Sequence, residues 1–307
     1  IRIARAFTGK NLIAASGYHG WHDWYIGSST RNLGVPKATS NLTKKFIFND
    51  IESLKVLLKK YPSKFAAVIL EPAGLIPTNK SFLKDVRQIC NKEKILLIYD
   101  EVISGFRIDI GGAQSVFGVL PDIACFGKGM GNGLPISAIT GPAENMKIFD
   151  KLWVSSTNNS ETLSLAGTIA VINEMKEKNT ITQCWKIGTK LLDGWNKITE
   201  KNNLNVKMNG YPIRMHLECY DKNNIESSSL KALIMQEMIK KGIFISQSVT
   251  FISYSHTEED VEKTLSSLDE VCKKINEKVE NENYEKYLDG NAPTVVWKMI
   301  IPPTKKI

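Results

Sequence analysis

Three residues of reactive type follow successive apolar runs. Glu71 ends Ala66–Leu70, Asp100 ends Ile95–Tyr99, and Lys128 comes just after Ile123–Phe126. If the runs are neighbouring strands of an open α/β sheet, their ends share one edge, and such sheets bind ligands outside the carboxyl ends of their strands. Two carboxylates and an amine on one edge suit imine chemistry: the amine attacks a carbonyl carbon and a carboxylate holds a nearby positive charge. Each residue taken singly also reads as an ordinary polar strand end. The setting of Lys128 adds to the chemical reading, because it lies in Gly127-Lys128-Gly129-Met130-Gly131-Asn132-Gly133. Glycines let a backbone approach a ligand closely, and a lysine crowded there is expected to lose solvation, which favours the neutral amine.

The elements that must position these residues follow from hydrophobic period. Up to about residue 145, short continuous apolar runs alternate with helical stretches such as Ser81–Glu93, and a last run, Ile136–Ile139, precedes Gly141-Pro142. Continuous apolar strands between helices predict a mostly parallel sheet covered on both faces. Ile1–Phe7 reads as the later part of an amphipathic helix stopped by Gly9, so the sequence is expected to lack a natural N-terminal part. Ser160 is expected to cap a helix through Leu163, Ala166, Ala170 and Met175, and Thr180–Lys201 has helical spacing. Beyond it, Ile213–Cys219 alternates like a half-exposed strand, Leu230–Lys241 reads as a helix closed by Gly242, and Thr257–Asp260 can form a capping box.

Composition excludes several function classes. The chain has 307 residues, 42% of them apolar, which supports a large core. Its net charge of +8 comes from lysines scattered along the chain, without the aromatic-interleaved basic patch of a nucleic-acid binder. No run approaches the ~18 apolar residues of a membrane span. The five cysteines, Cys90, Cys125, Cys184, Cys219 and Cys272, are widely spaced and odd in number, which suggests reduced thiols in a cytoplasmic protein. His19 and His22 lack partners of metal-ligand type, so no metal site is expected.

The ordered set Ala67–Pro72, Leu97–Arg107 and Pro121–Gly129, with Tyr18-His19-Gly20 upstream, resembles the class III aminotransferases. The subgroup containing glutamate-1-semialdehyde 2,1-aminomutase and its transaminase relatives is the nearest in motif. The resemblance runs from residue 1 to about residue 275. It implies fold type I of the pyridoxal 5′-phosphate (PLP) enzymes: a large α/β domain with a mainly parallel central sheet, expected here over 1–185, and a smaller C-terminal α+β domain over 186–279. Residues 280–307 have no counterpart in it.

The same resemblance implies roles. Lys128 matches the imine-forming lysine that also moves the substrate proton. Asp100 matches the aspartate paired with the pyridine nitrogen. Val102 and Tyr18 match the residues on the two faces of the ring, although Val102 also reads as core and Tyr18 as a packed surface aromatic. Thr157, aligned through Ser156-Thr157 and the helix to Ile172-Asn173-Glu174, matches a threonine reaching the cofactor phosphate of a neighbouring subunit, which implies a homodimer with a shared site. Glu71 matches a glutamate on the substrate side. His19 could be structural, as could Arg107, and Arg214 reads as an exposed strand arginine that could alternatively meet a substrate carboxylate.

Two departures bear on function. The family's phosphate-binding glycine–serine–threonine turn, expected before the opening helix, is absent from this sequence. Where the aminomutase has glycine–asparagine–proline, this chain has Asn158–Leu165 with Glu161, which resembles transaminase-type relatives encoded with polysaccharide or amino-sugar genes. The expectation is therefore amino transfer between a small amino donor and a carbonyl acceptor. The aminomutase stands as the alternative, a PLP decarboxylase or epimerase comes behind it, and a non-catalytic scaffold is the reading from another class.

Overall fold

The computed structural model describes residues 1–279 and 283–292. The chain divides into two compact units: Ile1–Gly74 with Thr78–Glu177, and Leu75–Pro77 with the described residues of Lys178–Val295.

The first unit alternates helix and strand: α1 (Arg2–Thr8), β1 (Leu12–Ser16), α2 (Asp23–Ile26), α3 (Lys37–Ser40), β2 (Thr43–Lys45), α4 (Ile51–Lys60), β3 (Phe65–Leu70), α5 (Lys80–Glu93), β4 (Leu96–Glu101), α6 (Ala113–Phe117), β5 (Ile123–Phe126), β6 (Ala138–Thr140), α7 (Ala143–Met146) and α8 (Thr162–Glu177). Among the described residues the strands form one six-stranded sheet in the order β2-β1-β3-β4-β5-β6. All pairs are parallel except β5 with β6. This is the mainly parallel sheet of fold type I.

The period of two decides which side chains meet which helices. Ala14, Val68, Leu70, Leu97 and Tyr99 pack with Leu54, Leu58, Leu83 and Val86 of α4 and α5. Their neighbours Ile13, Ala15, Ala67, Ile69 and Ile98 pack on the other face with Ile3 and Ala4 of α1. Every residue of β3 is buried, as a strand covered on both faces must be.

Helix ends explain the boundaries. Gly9 closes α1 in the left-handed region at φ 67°, its N–H donating to the Arg5 carbonyl. The side chains of Asp50 and Asn79 cap α4 and α5. Ser160 does not cap α8. Its φ is 62°, outside the extended backbone an N-cap requires. Glu161 serves instead, its carboxylate accepting from the N–H groups of Leu163 and Ser164, each at 2.7 Å.

The second unit contains α9 (Thr180–Lys201), β7 (Val206–Tyr211), β8 (Arg214–Cys219), α10 (Ser228–Lys240), β9 (Thr250–Phe251) and α11 (Glu258–Lys278). Its antiparallel sheet has the order β7-β8-β9. Trp195, Leu191 and Ile187 of α9 join Leu268, Val271 and Cys272 of α11 in one core beneath the sheet. Gly194 lets the two helices close, since a Cβ there would lie 2.4 Å from a Leu265 methyl. The capping box of α11 is complete, with Thr257 and Asp260 exchanging hydrogen bonds. Arg214 corrects the reading of an exposed strand arginine: it is buried, at 4% exposure. Tyr284 packs into this core, whereas residues 280–282 and 293–307 of the tail lie outside the described residues. Among the described residues no helix is long and apolar enough to cross a membrane.

Candidate active site

The parallel order β1-β3-β4-β5 brings four strand ends to one edge. They are followed in turn by Tyr18 and His19, by Glu71, by Val102, and by Lys128. Asp100 and Glu101 are the last residues of β4 and stand opposite Cys125 and Phe126 of β5. Asp100, Val102 and Lys128 therefore sit on neighbouring strand ends.

Asp100 is held from two sides. One carboxylate oxygen accepts from the Val102 N–H at 3.2 Å. The other lies 2.8 Å from Nδ1 of His19, whose Nε2 lies 3.0 Å from the Ser16 carbonyl. Both ring nitrogens thus face oxygen acceptors. His19 is fixed by its aromatic neighbours, Trp24 stacked at 6.1 Å and Tyr25 edge-on at 5.3 Å between ring centres. Tyr25 is fully buried and donates from its hydroxyl to the Gly17 carbonyl. Burial pushes its phenol well above the ordinary value, ahead of the charges of Tyr18 and Glu71, so it remains a donor. Since β3 lies between β1 and β4, the His19–Asp100 contact passes over the end of a strand.

The turn after β4 is anchored by Glu101, which is fully buried. Its carboxylate accepts from the Ser104 hydroxyl and from the N–H groups of Ala113 at 3.0 Å and Gln114 at 2.9 Å. Burial raises its pKa despite these donors. Gly105 is required by close approach, because a Cβ there would stand 2.5 Å from the Phe126 ring. A Cβ on Gly127 would be 3.5 Å from Cγ1 of Val102, so Val102 packs beside the segment carrying the lysine.

Lys128 opens a single 3₁₀ turn, Lys128–Met130, with φ 44° in the left-handed region. Its side chain is exposed, which corrects the expectation of a desolvated amine. Glu71 is 8% exposed, and a Cβ on Gly74 would lie 3.5 Å from its Oε2. Tyr18 is 46% exposed and meets Tyr25 edge-on at 5.7 Å. Thr157 is in the exposed turn before α8, and no hydrogen bond among the described residues ties it to the Asp100 group.

Sequence reasoning missed His19 as the partner of Asp100 and Glu101 as the anchor of the turn. The signal for the first was a histidine three residues past a strand end within an aromatic cluster. The signal for the second was a carboxylate beside Asp100 on an otherwise apolar strand.

The donor set fits PLP. Asp100 keeps 16% of its side chain exposed and retains lone pairs for a protonated ring nitrogen. Lys128, an exposed residue, follows the adjacent strand β5, and Tyr18 and Val102 follow the ends of β1 and β4.

The model of the aminotransferase class-III family matches residues 1–272. The chain is 34% identical over 301 residues to glutamate-1-semialdehyde 2,1-aminomutase of Methanosphaera stadtmanae, covering 90% of this chain and 71% of that protein. It is 32% identical over 278 residues to 3-aminobutyryl-CoA aminotransferase of Cloacimonas acidaminovorans, covering 88% and 66%. The structure resembles that of an omega-transaminase from Sphaerobacter thermophilus with TM-score 0.81 and 25% identity, over 89% of this chain and 70% of that one. A glutamate-1-semialdehyde aminomutase from Pseudomonas aeruginosa shares the fold at TM-score 0.75 and 17% identity, over 89% and 68%. The family is generally dimeric and uses amino and keto substrates. Sequence, fold and strand-end chemistry agree, and the chain belongs to the class-III aminotransferases, enzymes that depend on PLP.

Proposed function

We propose that the strand-end cluster carries amino-group transfer between a small amino donor and a small carbonyl acceptor, a keto sugar among the candidates. The observation carrying this reading is the placement of Asp100 and Lys128 on neighbouring strand ends, with Asp100 braced by His19. When bound, PLP supplies an electron sink for the pair released as the substrate's Cα–H bond breaks. Asp100 keeps the ring nitrogen protonated by placing a fixed negative charge beside it. Lys128 would hold the cofactor through its Nζ in the resting enzyme; with that amine released, Nζ would take the proton from the substrate Cα and deliver it to the cofactor's carbonyl-derived carbon. Val102 and Tyr18 pack against the two ring faces and hold the plane. Glu71 orients substrate.

Thr157 reaches the cofactor phosphate of the partner subunit in this reading. Support for a shared site comes from the surface next to it. Leu163, Leu165 and Ile169 of α8 are exposed, as are Trp153 and Val154, while Ser164 and Thr168 face inward. So much apolar surface is unusual on a monomer. The free cysteines support a reducing compartment, and we place the enzyme in the cytoplasm.

The test is spectroscopic. PLP added to the protein should give an imine absorption band that Lys128→Ala lacks, and an amino donor should bleach that band. An equal band in the variant would sink the assignment of Lys128.

The aminomutase is the second reading, favoured by the relatives that carry that name. Turnover of glutamate-1-semialdehyde without a second substrate would select it; conversion of an added carbonyl acceptor into its amine would select transfer. The contrast at Glu161 has a structural component, since that carboxylate caps α8.

A further inference from the structure

Lys128 stands between Gly127 and Gly129, and glycine is the most permissive backbone a chain offers. Nothing within Gly-Lys-Gly itself selects the left-handed conformation at Lys128, and such conformations persist only where the surroundings over-determine them. The direction in which the lysine side chain leaves the backbone is therefore set by its neighbours. One of them is the loop between β4 and α6, residues 102–112.

That loop runs along the lysine segment. Val102 packs beside Gly127, and Gly105 closes on the Phe126 ring. The rings of Phe106 and Phe126 meet edge to face, 5.9 Å between centres. A Cβ on Gly129 would lie 3.5 Å from the Phe106 carbonyl oxygen and 3.6 Å from the Phe106 Cβ. Phe106 is left-handed as well, at φ 58°, so a second constrained residue abuts the turn that carries Lys128.

The loop is tied so that it can bear on that turn. The Gly105 N–H donates to the Glu101 carbonyl at 2.8 Å, and the Ile108 N–H to the Ser104 carbonyl at 2.9 Å. The Glu101 carboxylate accepts from Ser104 near the start of the loop and from Ala113 and Gln114 beyond its end, which joins the two ends. The first residue of the loop, Val102, donates its N–H to Asp100. One tied loop thus meets the Asp100 carboxylate on one side and the lysine segment on the other.

We propose that Phe106 is a positioning residue for Lys128, acting through Phe126 and Gly129 to hold the lysine turn at a fixed place relative to Asp100. This rests on the reading of Lys128 as the imine-forming residue. Glu101 acts one step further back, by holding the loop that carries Phe106. With the loop loosened, Lys128 would still couple to PLP, but its Nζ would no longer meet the substrate Cα in one orientation. Proton transfer depends on such placement, and a misplacement of about 1 Å can cost on the order of 10²-fold in rate.

Circular dichroism of the imine band and single-turnover kinetics of the PLP-loaded protein test the proposal. In Phe106→Gly, borohydride reduction followed by peptide mass spectrometry should still find PLP on Lys128. The dichroism per bound PLP should fall by about twofold or more, and the half-reaction with an amino donor should slow about tenfold. The isotope effect with a donor deuterated at Cα should increase, because proton transfer becomes the slow step. Phe106→Tyr, which keeps the ring, should behave as the parent in all three. Glu101→Gln loosens the loop by a second route and should give the same signature as Phe106→Gly. Loss of stability in both variants, with dichroism and isotope effect as in the parent, overturns the proposal. A reduced adduct on a lysine other than Lys128 in the parent protein overturns the reading of Lys128 together with it.

Discussion

His19 and Asp100 are 81 residues apart in sequence, and their side chains meet at 2.8 Å. The contact joins the loop after β1 to the end of β4 and gives the Asp100 carboxylate a single orientation. A charge-assisted hydrogen bond of this kind contributes about 1.5–3 kcal/mol. His19→Phe keeps the stacking on Trp24 and removes the bond. PLP affinity, measured by spectrophotometric titration, should fall by roughly tenfold or more. Unchanged affinity would show that Val102 alone holds the carboxylate.

Asp100→Asn tests the charge itself. The amide is nearly isosteric and its oxygen can still accept from the Val102 N–H, but it places no negative charge beside the ring nitrogen. The half-reaction with an amino donor, followed by stopped-flow absorbance, should slow by about 10²–10³-fold. A loss of only twofold would remove Asp100 from the chemistry.

Glu101→Gln should destabilise the first unit by about 1–3 kcal/mol. The carboxylate accepts from three donors, and an amide nitrogen on either side would confront an N–H or a hydroxyl. Chemical denaturation at neutral pH reads the change. A variant as stable as the parent would mean that the turn is held by its glycines rather than by this anchor.

Lys45 provides a pH test. Its ammonium lies over the Tyr25 ring, 3.6 Å from the centroid, and has no hydrogen-bond partner among the described residues. Burial lowers it from the ordinary 10.5 to about 7. Between those values the unfolded chain holds a proton that the folded chain has released, so stability rises with pH across that window. Below it both states are protonated and the full cost of burying the charge remains, offset in part by the ring face, worth about 2 kcal/mol. Lys45→Met should therefore raise the melting midpoint at pH 7, by a stabilisation on the order of 1–3 kcal/mol. The gain should shrink by pH 10. A gain independent of pH would show that the amine stays charged throughout.

What was legible in the sequence was whatever local pattern determines. The runs ending in Asp100 and Lys128 are continuous and apolar because both of their faces are covered, and the box at Thr257 is a local hydrogen-bond exchange. β1 and β2 carried weaker signals. β1 ends in the small residues Ala14, Ala15 and Ser16, and β2 is a three-residue edge strand containing Lys44 and Lys45. The helical spacing of α8 was readable, but its orientation was not, because that helix turns Ser164 and Thr168 inward. Arg214 was misjudged for a related reason: alternation along β8 marks the two faces of a strand and does not tell whether the second is covered. The His19–Asp100 contact depends on the order of strands in the sheet, which no single segment encodes.

The left-handed backbone at Lys128 sets function against folding. An L-amino acid other than glycine held at φ 44° costs on the order of 1 kcal/mol or more. Alanine at this position would inherit that strain, whereas glycine would relieve it. A substitution that removes the imine-forming amine is therefore also one that relieves the backbone, and a search for thermally hardened variants of this protein would tend to select against its own lysine.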